Sequence, residues 1–209
     1  MLIIRLVIGI VVSYLFGSFN GAIVISKYFF RDDIRGHGSG NAGMTNFYRT
    51  FGGPMTFLVL ALDVVKMVLA ILIVRWLLAP TELAFQSTYI AGFCCMLGHI
   101  FPAFYRFKGG KAILTSCTWS VFIDWRVTLI CLVIFLLCVV LTRYVSFGSV
   151  MAAVAFIILV PILPSPGWFC VLLVWISAVL IIWAHRENVQ RLLRGEESRF
   201  SFRFEDRDT

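Results

Sequence analysis

The apolar stretch "PMTFLVLALDVVKMVLAILIVRWLLA" (residues 54–79) decides the fold class of this chain. It is long enough to cross a hydrocarbon core of ~30 Å as a helix, which takes roughly 20 residues. Further apolar stretches cover residues 2–25, 87–105, 112–124, 126–142, 147–163 and 167–185, of which 112–124 is short. We therefore predict an all-α, polytopic membrane bundle of about seven transmembrane helices.

The composition points to the same class. Hydrophobic residues make up 60% of the 209 residues and charged residues 14%, whereas soluble domains are nearer half apolar and a quarter charged. The N-terminal run carries only Arg5 and no small-residue cleavage pattern follows it, so we interpret it as a retained span and not as a signal peptide. We expect a single integral membrane domain over residues 1–209, with a polar cytoplasmic tail at 196–209.

The six cysteines all lie in apolar segments. They form no CxxC pair and have no histidine at the spacing of metal ligands. We interpret them as small apolar side chains of the helix interior, and we expect neither a metal ion nor another cofactor.

The positive charges are distributed unevenly along the chain, whose formal net charge is +7. If the N-terminus lies outside, the cytoplasmic segments hold fourteen of the 18 Lys and Arg residues, the outer segments hold three, and Lys66 lies within a span. This asymmetry follows the positive-inside tendency and predicts an external N-terminus and a cytoplasmic C-terminus. The excess charge suits an anionic substrate, and we expect no nucleic-acid partner.

Three polar segments, at residues 35–53, 98–116 and 185–197, fall on the cytoplasmic face in this topology. Irregular backbone near lipid must be buried in protein or line a watery cavity, because lipid cannot satisfy its hydrogen bonds. The three segments are therefore predicted to converge on one site.

The first segment, "RGHGSGNAGMTNFYRTFGG" (residues 35–53), is rich in glycine and short polar side chains. Small residues allow several backbone N–H groups to point at one anion, and an arginine fork matches a phosphate group. The predicted phosphate ligands are Ser39, Gly40, Asn41, Gly43, Thr45, Asn46 and Arg49. The loop is neither a Walker A motif nor a dinucleotide fingerprint, and by composition alone it is also compatible with a flexible glycine loop.

The second segment contains "FKGGK" (residues 107–111), which places Lys111 just before an apolar helix. An ammonium group there can bind phosphate or stabilise developing negative charge. The alternative is an anchor that extends to the membrane interface. Further up the same segment, we expect His99 to be hydrogen-bonded inside the bundle.

The third segment begins at the end of the last span. Helical spacing predicts that His185, Asn188, Leu192 and Glu196 share one face. A histidine at the membrane surface can hydrogen-bond a phosphate or relay a proton. The alternative is a polar helix cap followed by an ordinary i, i+4 pair between Glu187 and Arg191.

Two ionisable residues lie inside the apolar stretch quoted first. Asp63 and Lys66 are spaced i, i+3, and charged groups at membrane depth are costly unless they are paired. We predict a structural ion pair between them that holds the bundle together.

Taken in order, "GSGNAGMTNFYR", "GHIFPAFYRFKGGKAILT" and "HRENVQRLLRGEE" resemble the three motifs of the bacterial acyl-phosphate:glycerol-3-phosphate acyltransferase (PlsY) family. That family shows GSGN-x-GATN-x-x-R, then GH-x-x-P with F-x-GGKG-x-AT, then HR-x-N-x-x-R-L-x-x-G-x-E. The stretches "GSFNGAIVISK" and "LDVVK" fit its pattern too. The chain departs from the pattern at Asn20 (proline in the family), Met44 (alanine), Ala112 (glycine) and Leu114 (alanine).

The resemblance implies a bundle of seven helices in the bacterial inner membrane with a cytoplasmic active site. It implies transfer of a fatty acyl group from acyl phosphate to the 1-hydroxyl of glycerol 3-phosphate, giving lysophosphatidic acid and phosphate beside other enzymes of phospholipid synthesis. By the same resemblance, the acyl-phosphate head would be held by Ser39, Gly40, Asn41, Gly43 and Thr45. Glycerol 3-phosphate would be held by Arg49, Lys111, Ser39, His185 and Asn188.

Some alternatives remain open at the level of sequence. Either His185 or a substrate phosphate accepts the hydroxyl proton, and the acyl donor is either acyl phosphate or a thioester of CoA or carrier protein. Outside acyl transfer, a transporter for organic anions requires polar groups on both membrane faces and a path at the midplane, and a membrane scaffold requires no site at all.

Overall fold

The computed structural model describes residues 1–164 and 166–200 of the chain. The α-helices of this part, in chain order, are α1 (Leu2–Ser18), α2 (Gly21–Phe29), α3 (Met44–Phe51), α4 (Met55–Leu78), α5 (Ser87–Ile100), α6 (Ile113–Ile123), α7 (Trp125–Thr142), α8 (Val145–Leu159), α9 (Gly167–Ala184) and α10 (Arg186–Leu193). Short 3-10 turns lie at Ile34–Gly36, Ala103–Tyr105 and Val160–Ile162. No strand occurs in the described ranges, so the predicted all-α class is confirmed.

Several of these helices are long and apolar enough to cross a membrane. By length and composition there are 5 within the described residues: Met55–Leu78, Ser87–Tyr105, Trp125–Thr142, Val145–Ile162 and Gly167–Ala184. The bent pair α1 and α2 raises the number to 6 if it counts as one span. The stretch predicted at 112–124 forms α6, whose 11 residues are too few to span alone. The chain is therefore a multi-pass membrane protein, and the count of seven stays a prediction.

The N-terminal apolar stretch, residues 2–25, does not form the single helix that was predicted for it. It divides into α1 and α2, which are bent by 45°. The Asn20 side chain lies at the break and caps α2, because its Oδ1 accepts a hydrogen bond from the Ile23 N–H at 3.0 Å. Its Nδ2 donates to the Ala42 carbonyl at 3.0 Å. The break therefore ties the start of α2 to the glycine-rich loop.

Helices α1 and α5 pack closely because each of them has a glycine against the backbone of the other. A Cβ on Gly17 would overlap the Cys95 carbonyl, and a Cβ on Gly98 would overlap the Tyr14 carbonyl. Small residues allow such close approach between membrane helices. The Tyr14 hydroxyl also donates to the Phe101 carbonyl at 2.7 Å, which fixes the end of α5.

The loop that carries Lys111 folds back onto the end of α5. The Gly109 N–H donates to the Ile100 carbonyl at 3.1 Å and the Gly110 N–H to the His99 carbonyl at 3.0 Å. Ala112 then adopts a left-handed conformation with φ of 60°. This conformation is strained for a residue with a Cβ and natural for glycine, which accounts for the glycine at this position in the PlsY pattern.

The chain reverses after α10. This helix ends at Leu193, and Gly195 has φ of 71°, so the Glu196 N–H donates to the Arg191 carbonyl at 2.8 Å. The prediction that Glu196 shares a helical face with His185 was therefore wrong. Residues 196–200 also return to the bundle, where the Phe200 N–H donates to the Arg143 carbonyl at 2.7 Å. The rest of the predicted tail, 201–209, lies outside the described residues.

Candidate active site

One cavity of about 700 Å³ collects residues from all three polar segments. The structure thus brings the segments together as the sequence predicts. The predicted substrate ligands that line it are Ser39, Asn41, Gly43, Thr45, Asn46, Arg49, Lys111, His185 and Asn188. Asp63 and His99, predicted as structural residues, also line it. Gly40 is exposed and does not line this cavity, so the structure does not place it with the others.

The glycine-rich loop is folded around the buried amide of Asn46. Its Oδ1 accepts the Ser39 N–H at 3.0 Å, while its Nδ2 donates to the His37 and Asn41 carbonyls, each at 3.0 Å. A Cβ on Gly38 would overlap the Asn46 side chain. Asn46 was predicted as a phosphate ligand, but its polar atoms are engaged in holding the loop. The loop geometry depends on this amide.

The start of α3 lines the cavity with Gly43, Met44 and Thr45. The Ser39 N–H is engaged by Asn46, and the Gly40 N–H donates to the His37 carbonyl at 2.9 Å. Gly43 precedes α3 without a side-chain cap. The first N–H groups of a helix have no acceptors within the helix and attract anions. Because the N–H groups of Ser39 and Gly40 are engaged within the loop, the start of α3 is the better candidate for the predicted anion site.

Arg49 lies in the last turn of α3 at the mouth of the cavity. Its Nη1 donates to the Ser198 hydroxyl at 2.7 Å, and its Nη2 to the Ser198 carbonyl at 3.4 Å. Both contacts come from the segment that returns after α10. Because both contacts are to uncharged oxygens of Ser198, the charge of the Arg49 guanidinium is not neutralised by them and can still attract a phosphate.

Lys111 points into the cavity and donates a hydrogen bond to the Asn188 side-chain oxygen. Burial, together with repulsion from the nearby Arg191 guanidinium, lowers the pKa of the Lys111 ammonium to about 8. A partly desolvated cation gains more from an incoming anion than a solvated one does. The contact with Asn188 favours a substrate role for Lys111 over the alternative of an interface anchor.

His185 lies between α9 and α10 and is 4% exposed. Its Nδ1 is 2.8 Å from the Ile181 carbonyl oxygen. A carbonyl only accepts, so Nδ1 carries the hydrogen and Nε2 of the neutral ring is an acceptor. Burial lowers the pKa of His185 to about 4, which keeps the ring neutral near pH 7. Nε2 is thus suited to accept a hydrogen bond from a hydroxyl.

Glu197 organises the third segment, although the sequence pattern did not single it out. Its carboxylate accepts hydrogen bonds from Asn188 Nδ2 at 2.7 Å, Ser146 Oγ at 2.8 Å and Arg191 Nε at 2.8 Å. Burial opposes its ionisation, but these bonds outweigh that cost and lower the pKa of Glu197. The final Glu of the third motif was the available signal, because Glu197 occupies that position.

The alternative pairing of Glu187 with Arg191 is not what the structure has. Arg191 contacts Glu197 at 2.8 Å, and Glu187 lies 3.8 Å from Arg186. The reason is the chain reversal after Leu193, which brings a buried carboxylate within reach of Arg191. A buried, hydrogen-bonded partner competes well against a solvent-exposed i, i+4 partner.

The predicted ion pair inside α4 is confirmed and extends to α5. Lys66 Nζ is 2.7 Å from Asp63 Oδ1 and 2.7 Å from His99 Nδ1, and it donates to the Phe19 carbonyl at 3.0 Å. His99 is therefore hydrogen-bonded inside the bundle, as predicted. A Cβ on Gly110 would overlap His99 Nε2, so this cluster also supports the loop that carries Lys111.

The cavity continues from its polar end into a mainly apolar chamber between α6, α7, α8 and α9, which Ser116, Ser120 and Ser149 also line. Its apolar walls include Ile113, Leu114, Leu132, Phe135, Ala152, Ala153, Phe156 and Ile181. Such a cavity can hold an anionic head at one end and a hydrocarbon tail at the other. Within the described residues, no group of three or more His, Cys, Asp or Glu side chains is placed to hold a metal ion.

Comparisons with known proteins agree with this chemistry. The profile of a family described as "Glycerol-3-phosphate acyltransferase" matches residues 7–195. A protein of that name from Thermoanaerobacter pseudethanolicus is 39% identical over 193 residues, covering 92% of this chain and 94% of the relative. These matches extend over nearly the whole chain.

The chain also resembles solved structures of a glycerol 3-phosphate acyltransferase. The chain resembles the crystal structure of PlsY, an integral membrane glycerol 3-phosphate acyltransferase, in its glycerol 3-phosphate form, with a TM-score of 0.82 and 32% identity over 94% of this chain and 96% of that one. The lysophosphatidic acid form of PlsY gives a TM-score of 0.79 at 31% identity, over 94% and 95% of the two chains.

Proposed function

Because this chain belongs to the glycerol-3-phosphate acyltransferase family, we propose that it transfers a fatty acyl group from acyl phosphate to the 1-hydroxyl of sn-glycerol 3-phosphate. The products are 1-acyl-glycerol 3-phosphate and inorganic phosphate, and the reaction is the first step of membrane phospholipid synthesis. The observation that carries the proposal is the single cavity in which a cationic, amide-rich end joins an apolar chamber. Both substrates carry a phosphate, and one also carries a hydrocarbon tail.

The acyl-phosphate head binds at the N-terminal end of α3, among Ser39, Asn41, Gly43 and Thr45. The amide groups of the first helical turn suit an anion at that point. Glycerol 3-phosphate binds to Arg49 in the last turn of α3 and to Lys111, His185 and Asn188, with Ser39 between the two substrates. Gly40 contributes the turn of the loop, and Asn46 holds the loop in shape.

The chemical step is a direct substitution at the acyl carbon. The 1-hydroxyl oxygen of glycerol 3-phosphate forms a bond to the carbonyl carbon, and the bond from that carbon to the phosphate oxygen breaks. The hydroxyl proton passes to His185 Nε2 or to the departing phosphate. Phosphate leaves readily, so catalysis consists mainly of positioning two reactants and neutralising their mutual repulsion with Lys111 and Arg49.

The cavity opens toward the cytoplasm of the bacterial cell in this proposal. The charge asymmetry supports that orientation, because the segments on the same predicted face as the polar end carry fourteen of the 18 Lys and Arg residues. The water-soluble acceptor arrives from that side, the acyl donor arrives from the membrane, and the lipid product is passed to other enzymes of phospholipid synthesis.

A donor comparison tests the proposal. Purified protein in detergent or bilayers is given glycerol 3-phosphate with palmitoyl phosphate, palmitoyl-CoA or palmitoyl carrier protein in turn, and 1-acyl-glycerol 3-phosphate is measured. We expect product from the acyl phosphate alone. Equal or faster turnover of either thioester contradicts the assignment of the donor.

The pH dependence of the reaction should report on Lys111. Its pKa is lowered to about 8 by burial, so in the free enzyme the ammonium form prevails below that pH and is lost above it. We expect kcat/KM for glycerol 3-phosphate to fall tenfold per pH unit above about 8. The variant Lys111→Arg, whose cation persists, should lack this limb even if it is slower, and an unchanged limb would assign it to another group.

Replacing His185 tests which group accepts the proton. Because its Nε2 is an acceptor in a neutral ring, we expect His185→Ala to lower kcat by about 10²-fold, at the low end for general-base catalysis. His37→Ala is the control, because His37 does not line the cavity and contacts Asp32 at 2.7 Å. If His185→Ala keeps its kcat and only raises KM, the proton goes to a substrate phosphate instead.

A further inference from the structure

Phe156 is the residue of α8 farthest from the polar end that lines the chamber, and it belongs to an aromatic pair. Phe156 of α8 lines the chamber and packs edge-on against Trp119 of α6, with ring centroids 5.9 Å apart and an interplanar angle of 73°. Trp119 is fully buried, and its indole N–H donates to the Thr88 carbonyl at 3.0 Å. A Cβ on Gly92 would overlap the indole ring. Contacts with α5 therefore fix the position of the Trp119 ring, and Trp119 in turn limits how far the Phe156 ring can move.

Helix α8 also lines the polar end of the cavity. Ser146, at the start of α8, lines it and donates to Glu197, which belongs to the polar cluster. Ser146 and Phe156 are ten residues apart on α8, which is about 15 Å along a helix axis. This depth is about half of a ~30 Å hydrocarbon core, the thickness of one lipid leaflet.

The face of α8 between these ends carries small side chains. Ala152 and Ala153 line the cavity one turn before Phe156, and Leu132 and Phe135 of the neighbouring helix α7 line it too. Small residues on one wall leave room for a chain that a bulkier residue would block. The chamber is therefore mainly apolar and deep enough for an alkyl chain, and it belongs to the same cavity as the proposed binding site for the head group.

We propose that this chamber holds the acyl chain of the donor and that Phe156, supported by Trp119, is the residue that limits chain length. The inference rests on the proposed function and adds a determinant of donor specificity to it. A chain that reaches Phe156 fills the chamber, and each additional methylene must displace a ring with a fixed support or bend back on itself. Either cost reduces turnover of longer donors relative to those that fit.

Two substitutions on the chamber wall test the proposal in opposite directions. In Ala153→Phe, a ring is placed three residues, or about 4.5 Å, nearer the polar end. We expect at least about a tenfold loss of kcat/KM for the longest donor that the unmodified protein accepts, with shorter donors retained. In Phe156→Leu, the chamber is extended, and we expect the preferred chain length to increase.

The measurement is kcat/KM for a series of acyl phosphates from octanoyl to stearoyl phosphate at saturating glycerol 3-phosphate. Ile158→Ala is the matched control, because Ile158 is on α8, is 57% exposed and does not line the cavity. Its chain-length profile should equal that of the unmodified protein. KM for glycerol 3-phosphate should not change in any of the three variants, because the substitutions lie away from the polar end.

The outcomes separate this inference from the proposed function. If both wall variants keep the chain-length profile of the unmodified protein, or if Ala153→Phe lowers turnover of all donors equally, the chamber does not determine the chain-length specificity and the inference is wrong. If the unmodified protein turns over no acyl phosphate of any length, the proposed function itself is wrong.

Discussion

Replacing Lys111 with methionine should lower kcat/KM for glycerol 3-phosphate by about 10²–10³-fold, the usual cost of removing one preorganised charge-stabilising donor. Methionine is unbranched and fills similar space, so the substitution removes mainly the charge. Lys111 is the cation of the second segment that lines the cavity, and it contacts Asn188 there. Its loss leaves two phosphates to approach each other with one cation fewer between them.

Lys108→Met is the matched control for this experiment. Lys108 is exposed, belongs to the same loop and does not line the cavity. Its replacement removes the same formal charge from the same face of the protein, and we expect less than a few-fold change in kcat/KM. Equal losses in the two variants would mean that the general positive potential matters and that Lys111 has no specific role.

Replacing Lys66 with methionine should lower the free energy of unfolding by about 3–5 kcal/mol, the usual cost of removing one partner from a buried ion pair. Asp63 is 2% exposed, and in the variant its carboxylate would be left in the protein interior without the ammonium 2.7 Å away. The measurement is the denaturant midpoint of the purified protein in micelles.

The double variant Asp63→Asn, Lys66→Met separates charge from packing. It removes both members of the pair, so we expect it to recover most of the lost stability, as replacing an entire buried pair often costs little. If the double variant is as unstable as Lys66→Met alone, the charge of Lys66 is not what stabilises the bundle. Its hydrogen bonds to His99 and Phe19 would then account for the lost stability.

The features that the sequence predicts well are local ones. The apolar stretch around Asp63 and Lys66 predicts a long helix and an ion pair, because both depend on residues within a few positions of each other. The convergence of the three polar segments also follows from sequence, because alternate loops of a helical bundle lie on one membrane face. The three motifs add the chemical identity of the site.

The features that the sequence does not reveal depend on contacts between distant residues. Nothing near Asn20 predicts that its amide reaches the Ala42 carbonyl at the break in the N-terminal apolar stretch. Glu197 occupies the last position of the third motif, but apart from the motif it only follows a helix end in a charged segment, where a solvent-exposed side chain is the ordinary expectation. It is buried because Ser146, which is 51 positions away in the chain, donates to it. Periodicity and composition carry no information on such pairings.

The central claim is that both substrates meet in one cavity and that the acyl group passes directly from one to the other. The most direct test is to incubate the purified protein with acyl phosphate and labelled inorganic phosphate, with and without glycerol 3-phosphate. Direct transfer predicts that no label enters acyl phosphate when glycerol 3-phosphate is absent, and that one phosphate is released per ester formed when it is present. Exchange of label without glycerol 3-phosphate would reveal an acyl-enzyme intermediate and contradict the claim.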